Sequence, residues 1–199
     1  MSVGNSNQFE ILKSLPSYGP MYIPINTDGE GYFSEGFVVK FYTKDGTNWI
    51  ANFKPGHTNY YDVFDYPRFN IVIVIAGGYV YVMSPENKKP IISYQLKIEQ
   101  ALIHTNQNLI LADSTKVFYY NIFENSLWCC ERLSIDGIKD LKIHDNVLYG
   151  KTLDLYYSNQ WENFSINLHT KEIIGGSFRK NIKNNQTLEI RKKTWWKFW

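Results

Sequence analysis

Four acidic residues, Asp62, Asp65, Asp140 and Asp145, are the groups in this 199-residue chain best suited by type to acid–base chemistry. Two carboxylates facing a common pocket can hydrolyse a glycosidic bond as acid and base. The sequence does not fix their separation, and acids in the turns of a β protein more often cap backbone groups or face solvent. His104 and His144 are the next candidates, since imidazole serves both proton transfer and metal ligation. They recur at an offset of 40, each directly after an isoleucine, in Ile98–Asn106 (IEQALIHTN) and Ile138–Asn146 (IKDLKIHDN). A position that repeats in this way predicts a repeated structural role. His57 and His169 lie in turn-like contexts without a partner at metal-ligand spacing and read as surface histidines.

Cys129 and Cys130 are adjacent, so on a strand their side chains point to opposite faces and a disulfide between them is strained. Arg132 is the only nearby cation that could activate a thiolate, and one of the two thiols is expected to be a small core residue. Asn26 and Asp28-Gly29-Glu30-Gly31 resemble the start of a calcium loop, but the twelfth position is Phe37 rather than a bidentate acid. A tight Asp-Gly turn is the better reading. Gly29, Gly31 and Gly36 fail the dinucleotide spacing, and there is no phosphate-loop motif. The chain is therefore read as a non-enzyme with no cofactor, metal or catalytic residue assigned.

The strongest candidate for an interaction is the C-terminal RKKTWWKFW, where Trp195, Trp196, Phe198 and Trp199 interleave with Arg191, Lys192, Lys193 and Lys197. Indole rings and cations together suit the headgroup level of an anionic membrane. The same mixture can stack on bases, or the rings can pack over an exposed edge of the protein or onto a second copy, with Leu188–Ile190 adding a strand. From Arg179 onward seven basic residues stand against Glu189 alone. That leaves 14 of the 21 basic and 18 of the 19 acidic residues in the rest, a net −4 there. An acidic body opposes binding to phosphates, so nucleic acid is disfavoured.

Elements that would position these groups repeat at 36 to 40 residues. Val72–Val82 (VIVIAGGYVYV), Leu109–Tyr120 (LILADSTKVFYY) and Val147–Tyr157 (VLYGKTLDLYY) each read as an apolar strand, a small residue (Ala76, Ala112, Gly150), a turn and an aromatic strand. Polar turns then lead into Ile91–Leu96, Leu127–Leu133 and, through SNQWEN, Phe164–Leu168. A fourth copy spans Phe37–Phe53, with a hairpin turn at Lys44-Asp45-Gly46-Thr47. Ile71–Ala76 is apolar on both alternating faces, which suits an inner strand covered on either side. Repeats of this period built from strands predict an all-β fold of about four three- to four-stranded antiparallel sheets, β-propeller-like, with a β-sandwich or an open sheet stack as alternatives. The expected organisation is an entry segment over 1–14, a β-repeat domain over 15–178 with a strand near Met21–Ile25, and a basic-aromatic extension over 179–199.

A composition of 44% hydrophobic and 17% aromatic residues fits half-buried pleated surfaces. The N-terminus lacks a cationic segment followed by an apolar core. The longest apolar run is far short of the ~20 residues that span a bilayer. A cytoplasmic location is the default expectation, peripheral to the membrane if the tail binds lipid.

Phe37–Gly56 (FVVKFYTKDGTNWIANFKPG), Ile73–Gly78 (IVIAGG), Ser134–Ile143 (SIDGIKDLKI) and Glu172–Phe178 (EIIGGSF) resemble an uncharacterised family of small bacterial proteins over roughly residues 15 to 178. Members usually carry Trp between the Ser and Asp of the SxDG stretch, where this chain has Ile135. The resemblance supplies no catalytic residues. Some members stand among toxin and immunity genes, which implies a binding protein, such as an immunity-type inhibitor of a toxin, with a protein partner. The alternatives weighed are a membrane-peripheral protein held by its tail and a propeller-type hydrolase using acids such as Asp62 and Asp140.

Overall fold

The computed structural model describes residues 7–18, 21–27, 34–105, 107–155 and 159–178. These form sixteen strands in four four-stranded sheets. The first sheet has the order β1-β3-β4-β2, from β1 (Phe9–Leu12), β2 (Ile23–Ile25), β3 (Phe37–Tyr42) and β4 (Asn48–Phe53). The other three are meanders in chain order: β5 (Asp62–Tyr66), β6 (Ile71–Ala76), β7 (Tyr79–Met83) and β8 (Ile92–Tyr94), then β9 (Gln100–Thr105), β10 (Asn108–Ala112), β11 (Val117–Asn121) and β12 (Ser126–Cys129), then β13 (Ile138–His144), β14 (Val147–Asp154), β15 (Gln160–Asn167) and β16 (Ile173–Gly175). All neighbours are antiparallel except β2, which runs parallel to β4. The protein is thus all-β, and the four-stranded meander is the unit from which propeller blades are built. Residues 9–12, within the stretch read as an entry segment, form β1.

The turns follow from their residues. Gly77 and Gly78 have φ of +54° and +86°, the backbone that a two-residue turn between β6 and β7 requires. At the β10–β11 turn, Asp113 Oδ1 accepts hydrogen bonds from the backbone N–H of Thr115 (2.6 Å) and Lys116 (2.7 Å). Gly46 of the β3–β4 turn has φ of +84°, and Asp45 Oδ1 accepts from Thr47 N at 3.0 Å.

The C-terminal repeat, from Val147, departs from the expected pattern. Gly150 does not end a strand as Ala76 and Ala112 do; β14 runs unbroken through it to Asp154. A Cβ at Gly150 would lie 2.6 Å from the Phe164 ring and 2.8 Å from Leu141, so the glycine is there to admit neighbouring side chains rather than to turn the chain. SNQWEN likewise is not a turn, because β15 already begins at Gln160.

The described residues fall into two compact units, one holding the chain up to Gln100 with Ile122–Asn125, the other Ala101–Asn121 with the residues from Ser126. In the first, Phe41, Trp49, Phe53, Val72, Val74, Tyr81 and Met83 form a core between the first two sheets. Phe41 stacks on Trp49 at 4.7 Å between centroids, and Trp49 Nε1 donates to the Pro85 carbonyl at 2.7 Å. Residues 72–76 of β6 are fully buried on both faces. In the second unit Ile110, Ala112, Leu148, Phe164 and Ile166 pack with Leu133 and Ile138. Each of the Val, Leu, Ile, Phe and Met side chains among them contributes roughly 1.5–3 kcal/mol on burial.

Candidate interaction surfaces

One groove opens between two strand edges. β2 and β8 are each bonded on one side only, as the last strands of their sheets. The cavity between them has a volume of about 460 Å3 and is lined by Pro24, Ile25 and Asn26 on one wall and by Lys88 to Ser93 on the other. Ile25 is buried at its base, whereas Ile91 remains 46% exposed. Lys88 and Lys89 stand exposed at the rim. Pro24 on one wall and Pro90 on the other each lack an N–H, and the Ile91 N–H is already bonded to Val82 O at 2.8 Å.

A second cleft in the same unit, of about 450 Å3, is lined by His57, Thr58, Asn59, Tyr60 and Glu99. The Gly77-Gly78 turn holds its frame: Thr58 N donates to Gly77 O (2.9 Å), Gly78 N to Tyr60 O (3.2 Å) and Ile98 N to Gly78 O (3.2 Å). Thr58 Oγ1 closes the set by donating to Ile98 O at 2.7 Å. A Cβ on Gly78 would meet Thr58 Oγ1 at 2.7 Å and Ile98 N at 2.9 Å, so only glycine permits this approach. His57 meets the Tyr79 hydroxyl through Nε2 at 3.4 Å, and Tyr60 donates to Asp62 Oδ2 at 3.0 Å.

In the second unit His104 is one member of a polar-aromatic cluster. Its Nδ1 lies 3.1 Å from the Tyr119 hydroxyl and its Nε2 3.0 Å from Asn146 Oδ1. Tyr119 is the cross-strand neighbour of Trp128, and Lys171 Nζ lies 3.5 Å from the first ring's centroid and 5.2 Å from the second's. Burial holds the Lys171 ammonium below its ordinary pKa and the Tyr119 phenol above its own. His144 does not share this role: it is largely exposed and pairs with Asp145 at 3.0 Å. The sequence identity of the two histidines therefore conceals two different surroundings.

Ser134 and Gly137 explain the SxDG stretch as architecture. Ser134 is fully buried, and its hydroxyl donates to Gly137 O at 2.8 Å. Gly137, at φ of +129°, bonds to Ser114 O through its N–H and accepts from Leu153 N.

The fourth sheet has one buried and one open face. Leu148, Phe164 and Ile166 enter the core. On the other face two cross-strand rows run Lys142–Tyr149–Ser165–Ile174 and Lys139–Lys151–Asn163, with Trp161 beside Leu153. Tyr149 is 47%, Trp161 38% and Ile174 66% exposed. Lys139 Nζ lies 3.9 Å over the Trp161 ring, and Lys151 pairs with Asp140 at 3.0 Å across a bulge where Asp140 has φ of +56°.

The remaining sequence candidates fall in both units. Asp62 and Asp65 lie on β5 of the first unit, Asp140 and Asp145 in the second. Asp65 Oδ2 accepts from Gln8 N at 3.2 Å while its Oδ1 has no hydrogen-bond partner among the described residues, and burial raises its pKa. Cys130 is buried with its thiol pushed up to about 11, and Cys129 is exposed; both are free. His57 lies exposed in its cleft, and His169 is exposed in the β15–β16 turn. Among the described residues no group of three His, Cys, Asp or Glu is placed to hold a metal ion, and no helix is long and apolar enough to cross a membrane. Arg191, Lys192, Lys193, Trp195, Trp196, Lys197, Phe198 and Trp199 lie outside the described residues, as does the Asp28–Gly31 turn. The β2–β8 groove and the open face of the fourth sheet were not legible from composition, since both depend on which strand ends a sheet.

No protein-family model matches the chain, and no curated protein matches it in sequence. Among solved structures, the N-terminal domain of Nup159 matches at 10% identity and a TM-score of 0.41 over 60% of this chain and 34% of its own. The computationally designed protein Ika8 matches at 13% identity and a TM-score of 0.39 over 76% of this chain and 51% of its own. The chain spans about a third of the former's length and half of the latter's.

Proposed function

We propose that this chain is a non-catalytic interaction protein with a protein partner, and more narrowly an immunity-type inhibitor of a bacterial toxin acting in the cytoplasm. The observation that carries the reading is the groove between β2 and β8. Pro24 and Ile25 of β2 and Ile92 and Ser93 of β8 line it along two strand edges, the buried Ile25 gives it an apolar floor, Ile91 and Ile92 add apolar wall, and Lys88 and Lys89 mark its rim. An extended segment of another protein can add backbone hydrogen bonds to such an edge while its side chains fill the floor. Two exposed cations at the rim favour an acidic partner and hasten encounter with it. The family resemblance supports the narrower reading, because some members stand among toxin and immunity genes.

The test is coexpression with the product of the adjacent gene in the source genome. The expected result is that this product arrests growth alone, that the chain restores growth, and that the two coelute with an affinity reduced at least tenfold by Lys88→Glu with Lys89→Glu. A harmless neighbour that does not bind overturns the immunity reading. Recovery of no specific protein in a pull-down from the source cell overturns the broader one.

A further inference from the structure

We propose that the open face of the fourth sheet is a docking surface for an anionic lipid bilayer. The face combines two classes of side chain that a purely solvated β-surface does not need together. Lys139, Lys142 and Lys151 supply three cations against Asp140, and Tyr149, Trp161 and Ile174 supply exposed apolar surface between and beside them. Aromatic rings with a polar edge settle at the headgroup level, and lysines beside them meet lipid phosphates. Two-residue alternation places Tyr149, Lys151, Trp161 and Ile174 on one side, and the bulge between Lys139 and Lys142 in β13 brings both of those lysines to the same side, so the surface is preformed. The basic-aromatic segment 179–199 follows directly after this sheet in the chain and carries the same chemistry in sequence.

Two observations favour lipid over single-stranded nucleic acid, the other polyanion such a face could meet. Lys139 Nζ already lies 3.9 Å over the Trp161 ring, covering a face on which a base would stack. Ile174 is 66% exposed and aliphatic, with nothing to offer a base but a fit to an acyl boundary. Asp140 lowers the net charge of the face through its pair with Lys151. That leaves Lys142 and Lys139 as the cations best placed to be tested.

The experiment is cosedimentation of the full chain with vesicles of phosphatidylcholine alone and of phosphatidylcholine with 30% phosphatidylserine, at low salt and at near-physiological salt. The expected result is partition onto the anionic vesicles only, weakened by salt. A basic residue near the surface adds about fivefold to the partition coefficient. Lys139→Glu with Lys142→Glu should therefore lower it at least tenfold, and Ile174→Asp should lower it independently of the lysines. Circular dichroism showing that each variant keeps its β structure ties the loss to the face. Failure of the full chain to bind anionic vesicles overturns the proposal, and so does unchanged binding by both variants, which would assign the interaction to residues 179–199 alone. Tighter binding to an oligothymidylate than to the vesicles at equal salt would also overturn it. A protein partner in the β2–β8 groove is unaffected by either result.

Discussion

Lys171 Nζ lies 3.5 Å from the centroid of the Tyr119 ring, held there by a turn whose φ at Lys171 is +64°. Asn167 Oδ1 fixes the turn by accepting from the N–H of His169 and Thr170, both at 3.0 Å, and Lys171 Nζ donates to Leu168 O at 2.6 Å. A half-buried ammonium over two aromatic faces contributes on the order of 1–2 kcal/mol, part of it from the stem that covers the rings. Lys171→Ala is expected to lower unfolding stability by about that amount and to change the emission of Trp128. Urea titration followed by circular dichroism measures the first effect, and fluorescence against a Trp128→Phe reference isolates the second.

Gly78 is the most constrained residue of the β6–β7 turn. An alanine there would be forced into a left-handed backbone and would carry its Cβ to 2.7 Å from Thr58 Oγ1 and 2.9 Å from Ile98 N. The conformational penalty and the steric displacement together come to about 3 kcal/mol. Gly78→Ala should show that loss in a denaturant titration. Gly46→Ala, at φ of +84° but with nothing within 4 Å, should cost only about 1 kcal/mol.

Asp65 gives the stability a pH dependence of predictable sign. Burial raises its folded pKa above the value of 3.8, although the Gln8 and Tyr66 N–H groups oppose the shift. A carboxyl whose folded pKa is raised contributes stability that is present below 3.8 and is lost as the pH rises through the folded value. Asp65→Asn keeps an acceptor for Gln8 N and removes the buried charge. It is expected to gain stability near neutral pH, by less than about 1 kcal/mol because the half-exposed carboxylate is partly screened by solvent. The gain should vanish toward pH 3, which denaturant titrations across pH 3 to 7 would read; a constant difference across that range contradicts the assignment to ionisation.

Fold class was legible because local signals agreed with the sheets. Ile71–Ala76 is apolar at every position and is buried on both faces from Val72 onward, and the Gly-Gly and Asp45-Gly46 pairs mark turns that their backbone angles require. Gly150 was misleading because a glycine serves a turn or a close approach equally well, and only the position of Phe164 distinguishes them. His104 and His144 match in sequence, yet the neighbours that set their roles, Tyr119 and Asn146 for one and Asp145 for the other, come from different distances along the chain. The groove wall at Lys88 to Ser93 was hidden for a related reason: whether a strand is an edge is a property of pairing, not of its own residues.

Cys129 and Cys130 should differ sharply toward thiol reagents. Side-chain alternation places Cys130 in the second core, where Val117 N donates to its sulfur at 3.1 Å, and leaves Cys129 exposed. Burial pushes the Cys130 thiol up to about 11, and burial is also the main cause of the smaller rise at Cys129, which Lys116 opposes and Asp113 assists. Only the thiolate attacks disulfide reagents. Native protein at pH 8 is therefore expected to release close to one equivalent of thionitrobenzoate from Ellman's reagent, slowly, and a second only in denaturant. Cys129→Ser should abolish the native reaction with little effect on stability, whereas Cys130→Ser should leave it intact and cost on the order of 1–2 kcal/mol by placing a hydroxyl among Val117, Leu133 and Leu168. Two equivalents reacting at one rate in the native protein would contradict the burial of Cys130 and, with it, the register of β12 against β11.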